Sequence, residues 1–152
     1  MVRRLIYTSI VTPGPQGEGA LLRSILEVSV RNNAEVAVTG MLLRHRQHFI
    51  QALEGPAAAV EGIYRKLRRD PRHHDLKLLE DATPPSRCFA DWAMCGYNLG
   101  SADNEILEIL DLRRGFDPRQ ISGSGALSLL RIVHAVQQRV LLATRSPIVI
   151  DA

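Results

Sequence analysis

Histidines are the residues from which a metal site would most readily be built in this sequence of 152 residues. His45 and His48 flank a short predicted turn and could meet across it, but no carboxylate or cysteine nearby completes a set of ligands. His73 and His74 are adjacent, so they cannot share one face of a helix as paired metal ligands do. The sequence therefore predicts no metal site.

Catalytic motifs are absent from the sequence. It contains no P-loop, no Gly-x-Gly-x-x-Gly turn, no His-Glu-x-x-His pair and no nucleophile elbow. Glu54 and Asp70 could each act as a general acid or base, but isolated carboxylates are usually surface groups. We therefore expect a protein that is not an enzyme.

Three polar sites do not fit their apolar surroundings. Tyr7 lies within an apolar strand, and the Asn32–Asn33 pair ends a predicted helix. Gln51 alternates with Phe49 and Leu53, so the three share one strand face, where a buried amide needs hydrogen-bond partners. Each site also has a purely structural explanation, respectively a core tyrosine with a satisfied hydroxyl, a helix C-cap, and an edge or bulge position.

The elements that must position these residues follow from hydrophobic periodicity and from Pro and Gly punctuation. Strands are predicted over 3–11, 36–44, 49–53, 76–79 and 89–99, and helices over 20–33 and 56–70. The order β-α-β-β-α-β-β is that of an α+β, ferredoxin-like sheet. Right-handed crossovers place both helices on one face of the sheet, with a slot between them that suits a small molecule.

The character of the chain changes after Gly100, where two further helices are predicted. The first begins near Asp103, and the second runs from about Gly125 to Thr144. Both are expected to cover the sheet face that the first two helices leave bare, and the narrow apolar seam of the last helix also suits self-association. The predicted organisation is a domain over residues 1–98 and a helical extension over 99–152.

Charge and cysteine usage favour a cytoplasmic protein. Nineteen basic and sixteen acidic residues give a formal charge of +3, and no apolar run approaches the ~20 residues of a membrane helix. A basic run at 65–72 suggests nucleic acid, but no aromatic residues interleave with it, and a solvated helix end explains it better. Cys88 and Cys95 form no metal or redox motif and suit a reducing compartment. Neither nucleic acid nor a membrane is an expected partner, and no signal peptide is visible.

Six local words occur in order along the chain, and together they resemble the BLUF domain, the blue-light sensor that uses FAD. They are Leu5-Ile6-Tyr7-Thr8-Ser9, Arg31-Asn32-Asn33, Val38-Thr39-Gly40-Met41-Leu42-Leu43, Phe49-Ile50-Gln51-Ala52-Leu53-Glu54-Gly55, Asp70-Pro71-Arg72-His73-His74 and Phe89-x-x-Trp92-x-Met94. The resemblance covers about residues 2–98 and implies the same ferredoxin-like fold, with the flavin ring between the two helices.

The resemblance also implies roles for individual residues. Tyr7 is the photoactive tyrosine and Gln51 the switching glutamine, while Trp92 and Met94 relay the signal from the last strand. The predicted flavin-binding residues are Asn32, Asn33, Ser29, Ile25 and Phe49 around the ring, and Lys66, Asp70 and His73 near the ribityl–phosphate tail. Light would drive electron and proton transfer from Tyr7 to the flavin, followed by rotation or tautomerisation of Gln51.

Two departures from the family pattern accompany the resemblance. Ala37 stands where the family often has Gly, and Lys66 stands where Arg is common, so the bidentate fork to a phosphate is missing there. The resemblance implies a short photoreceptor without its own output domain, which acts on a downstream effector protein and forms a homo-oligomer. The alternative is a ferredoxin-like small-ligand-binding or oligomerisation module without photoactivity.

Overall fold

Six strands and three helices make up the part of the chain that the computed structural model describes, which is residues 1–14, 18–90, 95–98, 117–144 and 149–151. In chain order the elements are β1 (Val2–Val11), α1 (Glu18–Glu35), β2 (Thr39–His45), β3 (His48–Pro56), α2 (Ala57–Leu67), β4 (His73–Ala82), β5 (Cys95–Asn98), α3 (Gly123–Thr144) and β6 (Val149–Asp151).

The strands form one mixed sheet in the order β4-β1-β3-β2-β5-β6. Neighbours among β1 to β4 are antiparallel, while β5 pairs in parallel with both β2 and β6. This confirms the predicted ferredoxin-like fold. Several details differ from the prediction. Strands β3 and β4 are longer than the expected 49–53 and 76–79, and of the strand expected over 89–99 the structure describes Cys95–Asn98 as strand. Strand β6 was not predicted, because three residues are too few for a periodic pattern.

Each face of the sheet has its own hydrophobic core, because successive side chains on a strand point to opposite sides. On one face, Leu5, Leu42 and Leu53 pack against α1 and α2, so both helices lie together as predicted. On the other face, Ile6 and Ile50 belong to a second cluster with α3. We call these the near face and the far face. The predicted helix near Asp103 lies outside the described residues.

Helix α1 ends in a Schellman motif that does not use the asparagine pair as its cap. The Val38 amide donates to the Asn33 carbonyl at 2.9 Å, and the Ala37 amide donates to the Ala34 carbonyl at 3.3 Å. The left-handed residue of the motif is Ala37, with φ of 58°. Asn32 therefore lies inside the last helical turns, and capping does not explain the asparagine pair.

Gly55 allows β3 to approach this turn closely. A Cβ atom at Gly55 would lie 2.9 Å from the Ala37 carbonyl oxygen and 3.1 Å from Cγ2 of Val38. A larger residue would push β3 away from the end of α1. The Gly that follows Glu54 in the sequence therefore sets the spacing between β3 and the turn that follows the asparagines.

Glu54 is fully buried on the far face, so the expectation that it is a surface carboxylate is wrong. Its carboxylate accepts the backbone amides of Cys88 at 2.8 Å and Phe89 at 2.7 Å, and it accepts Arg4 Nη1 at 3.3 Å. Arg4 also donates to Glu80 at 2.6 Å. A buried carboxylate is stable only when it is hydrogen-bonded in this way, and Glu54 consequently fixes the chain after β4 against the sheet.

Helix α3 packs tightly on the far face, as predicted for the last helix. In the described part of its seam, Ala126, Leu129 and Val133 are fully buried and Val136 is partly buried. At its start, a Cβ atom on Gly123 would lie 2.5 Å from the Leu79 carbonyl oxygen, so backbone approaches backbone there. None of the helices in the described residues is long and apolar enough to cross a membrane.

We predict that Ala37→Gly stabilises the protein. A left-handed alanine costs about 1 kcal/mol that glycine does not incur, and part of this gain is offset by the greater freedom of glycine in the unfolded chain. We expect a net gain of about 0.5 kcal/mol in the free energy of unfolding, measured by chemical denaturation. The control is Ala58→Gly on exposed α2, which should destabilise by up to about 1 kcal/mol. A loss of stability in Ala37→Gly would contradict the motif.

Candidate functional site

A cleft of about 520 Å³ lies between α1 and α2 on the near face, where the slot was predicted. Its volume is in the range of small-molecule sites, and its walls combine apolar and polar side chains. The lining residues include Val28, Ser29, Asn32, Asn33, Ala59, Gly62, Ile63, Lys66, Leu67, Asp70 and Arg72. A small cavity of about 10 Å³ lies at the sheet surface below and shares Leu67, Asp70 and Arg72 with the cleft. We call the two together the slot.

The structure brings ten of the twelve predicted site residues to this slot. The cleft holds Ser29, Asn32, Asn33, Lys66 and Asp70, and the inner cavity holds Tyr7, Ile25, Phe49, Gln51 and His73, with Asp70 again. The other two, Trp92 and Met94, lie outside the described residues. The proximity agrees with a common site, while the individual roles stay predictions.

Tyr7 and Gln51 form a buried hydrogen-bonded pair at the bottom of the slot. They are direct partners in the register of β1 and β3, and both side chains face the near side. The Tyr7 hydroxyl donates to Gln51 Oε1, and the two residues are 1% and 3% exposed. Burial raises the pKa of Tyr7, with smaller contributions from Tyr64 and Asp70, so the phenol keeps its proton in the resting protein.

Gln51 can reverse its hydrogen-bonding character without leaving its place. Its amide presents an acceptor at one end and two donors at the other, so a half rotation exchanges them. In the structure the acceptor oxygen faces Tyr7. The pair therefore has a proton donor on one residue and, on the other, an amide that can present either an acceptor or a donor.

His73 is fixed by hydrogen bonds at both ring nitrogens. Nε2 donates to the Leu67 carbonyl at 2.7 Å, since a carbonyl only accepts, and Nδ1 then accepts the Ser9 hydroxyl at 2.7 Å. The ring centroid lies 6.0 Å from that of Tyr7 and 6.2 Å from that of Phe49. His73 thus forms part of the slot floor and anchors the C-terminus of α2, with no ring nitrogen left for a ligand tail.

Arg72 lines the slot but was interpreted from the sequence as part of a solvated helix end. Its guanidinium binds the Asp70 carboxylate through Nε at 3.0 Å and Nη2 at 2.5 Å. Burial favours the neutral carboxyl, but these hydrogen bonds outweigh it and lower the pKa of Asp70. Because Asp70 neutralises Arg72, the net positive charge at this end of the slot comes from Lys66. The sequence offered one indication that Arg72 lies at the slot, because Arg72 belongs to the Asp70-Pro71-Arg72 word of the resemblance.

Gly62 leaves open space in the wall of the slot. Glycine in the middle of a helix is less stable than alanine by about 1 kcal/mol, so its presence within α2 calls for a reason. A Cβ atom at Gly62 would find nothing within 4 Å, and the residue lines the cleft. Between Gly62 and Val28, a flat ligand can lie against the helix backbone.

Metal chemistry has no support in the described part of the chain. It contains no group of three or more His, Cys, Asp or Glu side chains that could hold an ion. His45 and His48 are partners in the β2–β3 hairpin, as the sequence suggested, without a third ligand beside them.

We predict that His73 makes stability fall with acid. Burial lowers the pKa of His73, Asp70 opposes this lowering, and Arg72 and His74 add to it. Its stabilising contribution is therefore complete above the unfolded pKa of about 6.5 and is lost as the pH falls from there through the folded pKa.

The test is the free energy of unfolding measured from pH 8 to pH 5. His73→Gln retains one donor and one acceptor without titrating, so it should flatten part of the acid decline. His48→Gln is the comparison. Burial also lowers the pKa of His48, which lies on the β2–β3 hairpin, so this variant should flatten a separate part of the same decline. If His73→Gln leaves the slope of the curve unchanged, the assignment is wrong.

Part of the chain is similar in sequence to curated proteins that respond to light. The chain is 38% identical over 87 residues to the photoactivated adenylate cyclase subunit beta of Euglena longa, which is 57% of this chain and 10% of that subunit. It is 40% identical over 88 residues to the blue light- and temperature-regulated antirepressor BluF of Escherichia coli, covering 57% of this chain and 21% of the antirepressor. It therefore spans between a tenth and about a fifth of these curated relatives.

A solved structure extends the likeness to most of the chain. The dark-state structure of BlrB, a BLUF protein, superimposes with a TM-score of 0.71 and 28% identity, covering 89% of this chain and 96% of BlrB. The family described as sensors of blue-light using FAD matches residues 2–95, which is more than half of the chain. The protein with the buried Tyr7–Gln51 pair therefore belongs to the BLUF family of blue-light sensors, which use FAD.

Proposed function

We propose that FAD lies in the slot between α1 and α2 and that Tyr7 and Gln51 perform its photochemistry. The observation that carries the proposal is the buried hydrogen bond from the Tyr7 hydroxyl to Gln51 Oε1, directly beneath a cleft of about 520 Å³. A phenol and a rotatable amide that are both excluded from water can pass a proton between them. A bound chromophore can determine in which direction that proton moves.

The chemistry of the slot fits the parts of FAD. A flavin ring is a flat apolar plate, and Val28, Ile63 and the bare backbone at Gly62 offer surfaces of that kind. Its polar edge requires donors and acceptors, which the Asn32–Asn33 amides supply. The diphosphate requires positive charge, which Lys66 supplies. Arg72 lies in the same cleft, but its guanidinium fork is bound to Asp70.

The proposed photocycle needs little movement. FAD supplies the absorption of blue light and an excited state that accepts an electron from a nearby phenol. The Tyr7 proton would move along its hydrogen bond to Gln51 Oε1 while Gln51 Nε2 gives up one proton, which leaves the amide in its imidic-acid form. The electron and the second proton would stay on the flavin until both return to Tyr7, so that only Gln51 has changed; a half rotation of the amide during this exchange is the other outcome. In either case Gln51 presents a donor where an acceptor was, and the changed hydrogen bond shifts the absorption to the red.

We propose that residues 1–98 are the sensor and 99–152 a helical extension that conveys its state to another protein. The contact of α3 with the far face of the strands that bear Tyr7 and Gln51 supports this division. The matched region is a sensor domain, so we assign the activity of the cyclase relative to no part of it. A homo-oligomer is a further proposal, as is a cytoplasmic location, with which the free Cys88 thiol agrees.

The slot assignment predicts that side chains at Gly62 exclude the flavin. Gly62→Ala should stabilise the flavin-free protein by up to about 1 kcal/mol, because alanine favours the helix and meets no atom there. Gly62→Leu should yield a colourless protein with an undiminished circular dichroism spectrum. Ala58→Leu, on the exposed side of α2, is the matched control and should remain yellow. A Gly62→Leu protein with a full complement of flavin would place the ring elsewhere.

The photochemical assignment predicts that Tyr7→Phe abolishes the light-induced red shift. Phenylalanine fills the same volume but has no proton to donate, so flavin should bind while Gln51 receives no proton. Absorption spectra of purified protein before and after blue light measure both effects. Tyr97→Phe on β5 is the control and should shift and recover as the parent does. An undiminished shift in Tyr7→Phe would refute the role of this tyrosine.

A further inference from the structure

Helix α2 has a second cleft on its outer side, facing away from the slot. This outer cleft measures about 210 Å³ and is lined by Arg3, Glu61, Tyr64, Arg65, Arg68 and Leu78, among others. It lies between α2, the start of β1 and β4. The basic run at 65–72 is therefore divided by the helix: Lys66 faces the slot, whereas Arg65 and Arg68 face the outer cleft.

The outer cleft has surplus positive charge. Arg3 is neutralised by Glu61 at 2.5 Å and Asp81 at 3.0 Å. Arg65 and Arg68 are exposed, and within the described residues no carboxylate pairs with either. Two guanidinium forks are thus available, and their planar geometry matches that of a carboxylate.

The floor of the outer cleft is apolar and lies on an edge strand. Leu78, which is 46% exposed, and the buried Leu5 contribute this apolar surface. The strand of Leu78, β4, is the end strand of the described sheet and pairs with β1 alone, although Arg119 donates to the Asp75 carbonyl and Gly123 closely approaches the Leu79 carbonyl. An extended segment with alternating acidic and apolar side chains would match these features together.

Tyr64 connects the outer cleft to the photoactive pair. Its side chain lines the cleft, and its ring centroid lies 5.5 Å from that of Tyr7 at an interplanar angle of 37°. Displacement of either ring is therefore felt by the other, because the two are in direct contact.

We propose that the outer cleft is the docking site for an acidic, extended segment of the effector protein, and that Tyr64 makes docking sensitive to the state of Tyr7. The docking part stands on Arg65, Arg68 and Leu78 alone, whereas its light dependence rests on the proposed function. The two parts therefore succeed or fail in separate measurements.

The test uses the FAD-loaded full chain, labelled with ¹⁵N, and a short synthetic peptide of alternating glutamate and leucine. Titration in the dark at low salt should shift the amide signals of Arg65, Arg68 and Leu78. Arg65→Gln with Arg68→Gln should weaken binding about fivefold, since two exposed ion pairs are lost. The matched double variant, Arg31→Gln with Arg131→Gln, should bind as the parent does.

Other outcomes would overturn the docking site. Equal binding of a lysine–leucine peptide would show that charge is not recognised, and complete competition by equimolar inorganic phosphate would reduce the outer cleft to a simple anion site. Shifts centred on Lys66 and Arg72 would place the peptide in the slot instead.

Blue light tests the coupling separately. Illumination should change the peptide affinity of the parent at least twofold, and Tyr64→Leu should remove that change while the flavin red shift persists. If affinity is the same in light and dark while the red shift is normal, Tyr64 does not couple the two sites. A protein without any red shift would refute the proposed function and leave the dark titration as the measure of docking.

Discussion

The antiparallel register of β1 and β3 is the constraint on which the rest of the site depends. It sets Tyr7 opposite Gln51, so that a phenol and an amide meet in an interior where neither can turn to water. A slip of one residue by either strand would send the Tyr7 or the Gln51 side chain to the far face and break the pair. This pair faces the slot that α1, α2 and His73 enclose. The other groups of the slot can act with Tyr7 and Gln51 only because both side chains point toward them.

Two local arrangements, one at the end of each helix, hold α1 and α2 against the sheet. On one side, the left-handed Ala37 ends α1 and Gly55 admits the turn close to β3. On the other side, His73 joins the last carbonyl of α2 to Ser9 of β1. The C-terminal end of each helix is thereby tied to the sheet. The helices are held in position without side chains that fill the slot between them.

The resemblance of local words in the sequence named ten residues that line the candidate slot, and the pattern of each element predicted the face on which some of them lie. Gln51 is an example, since strand alternation alone puts it beside Phe49. Contacts between distant segments were not predictable: Glu54 is satisfied by backbone amides 34 and 35 residues away, and Tyr64 meets Tyr7 across two elements. Periodicity reports which way a side chain points, whereas these contacts depend on which segment arrives there.

The pleat of β3 has a mechanical consequence. Gln51 faces the slot, while its chain neighbours Ile50 and Ala52 belong to the far-face core that α3 completes. One peptide unit therefore separates the near face, which carries the slot, from the far face, which carries α3. No other residue is needed to connect the two faces. A strand that rocks about its own axis moves both sets of side chains at once, in opposite directions. The backbone of Gln51 therefore links a movement on the slot side directly to a movement of the side chains that pack with α3.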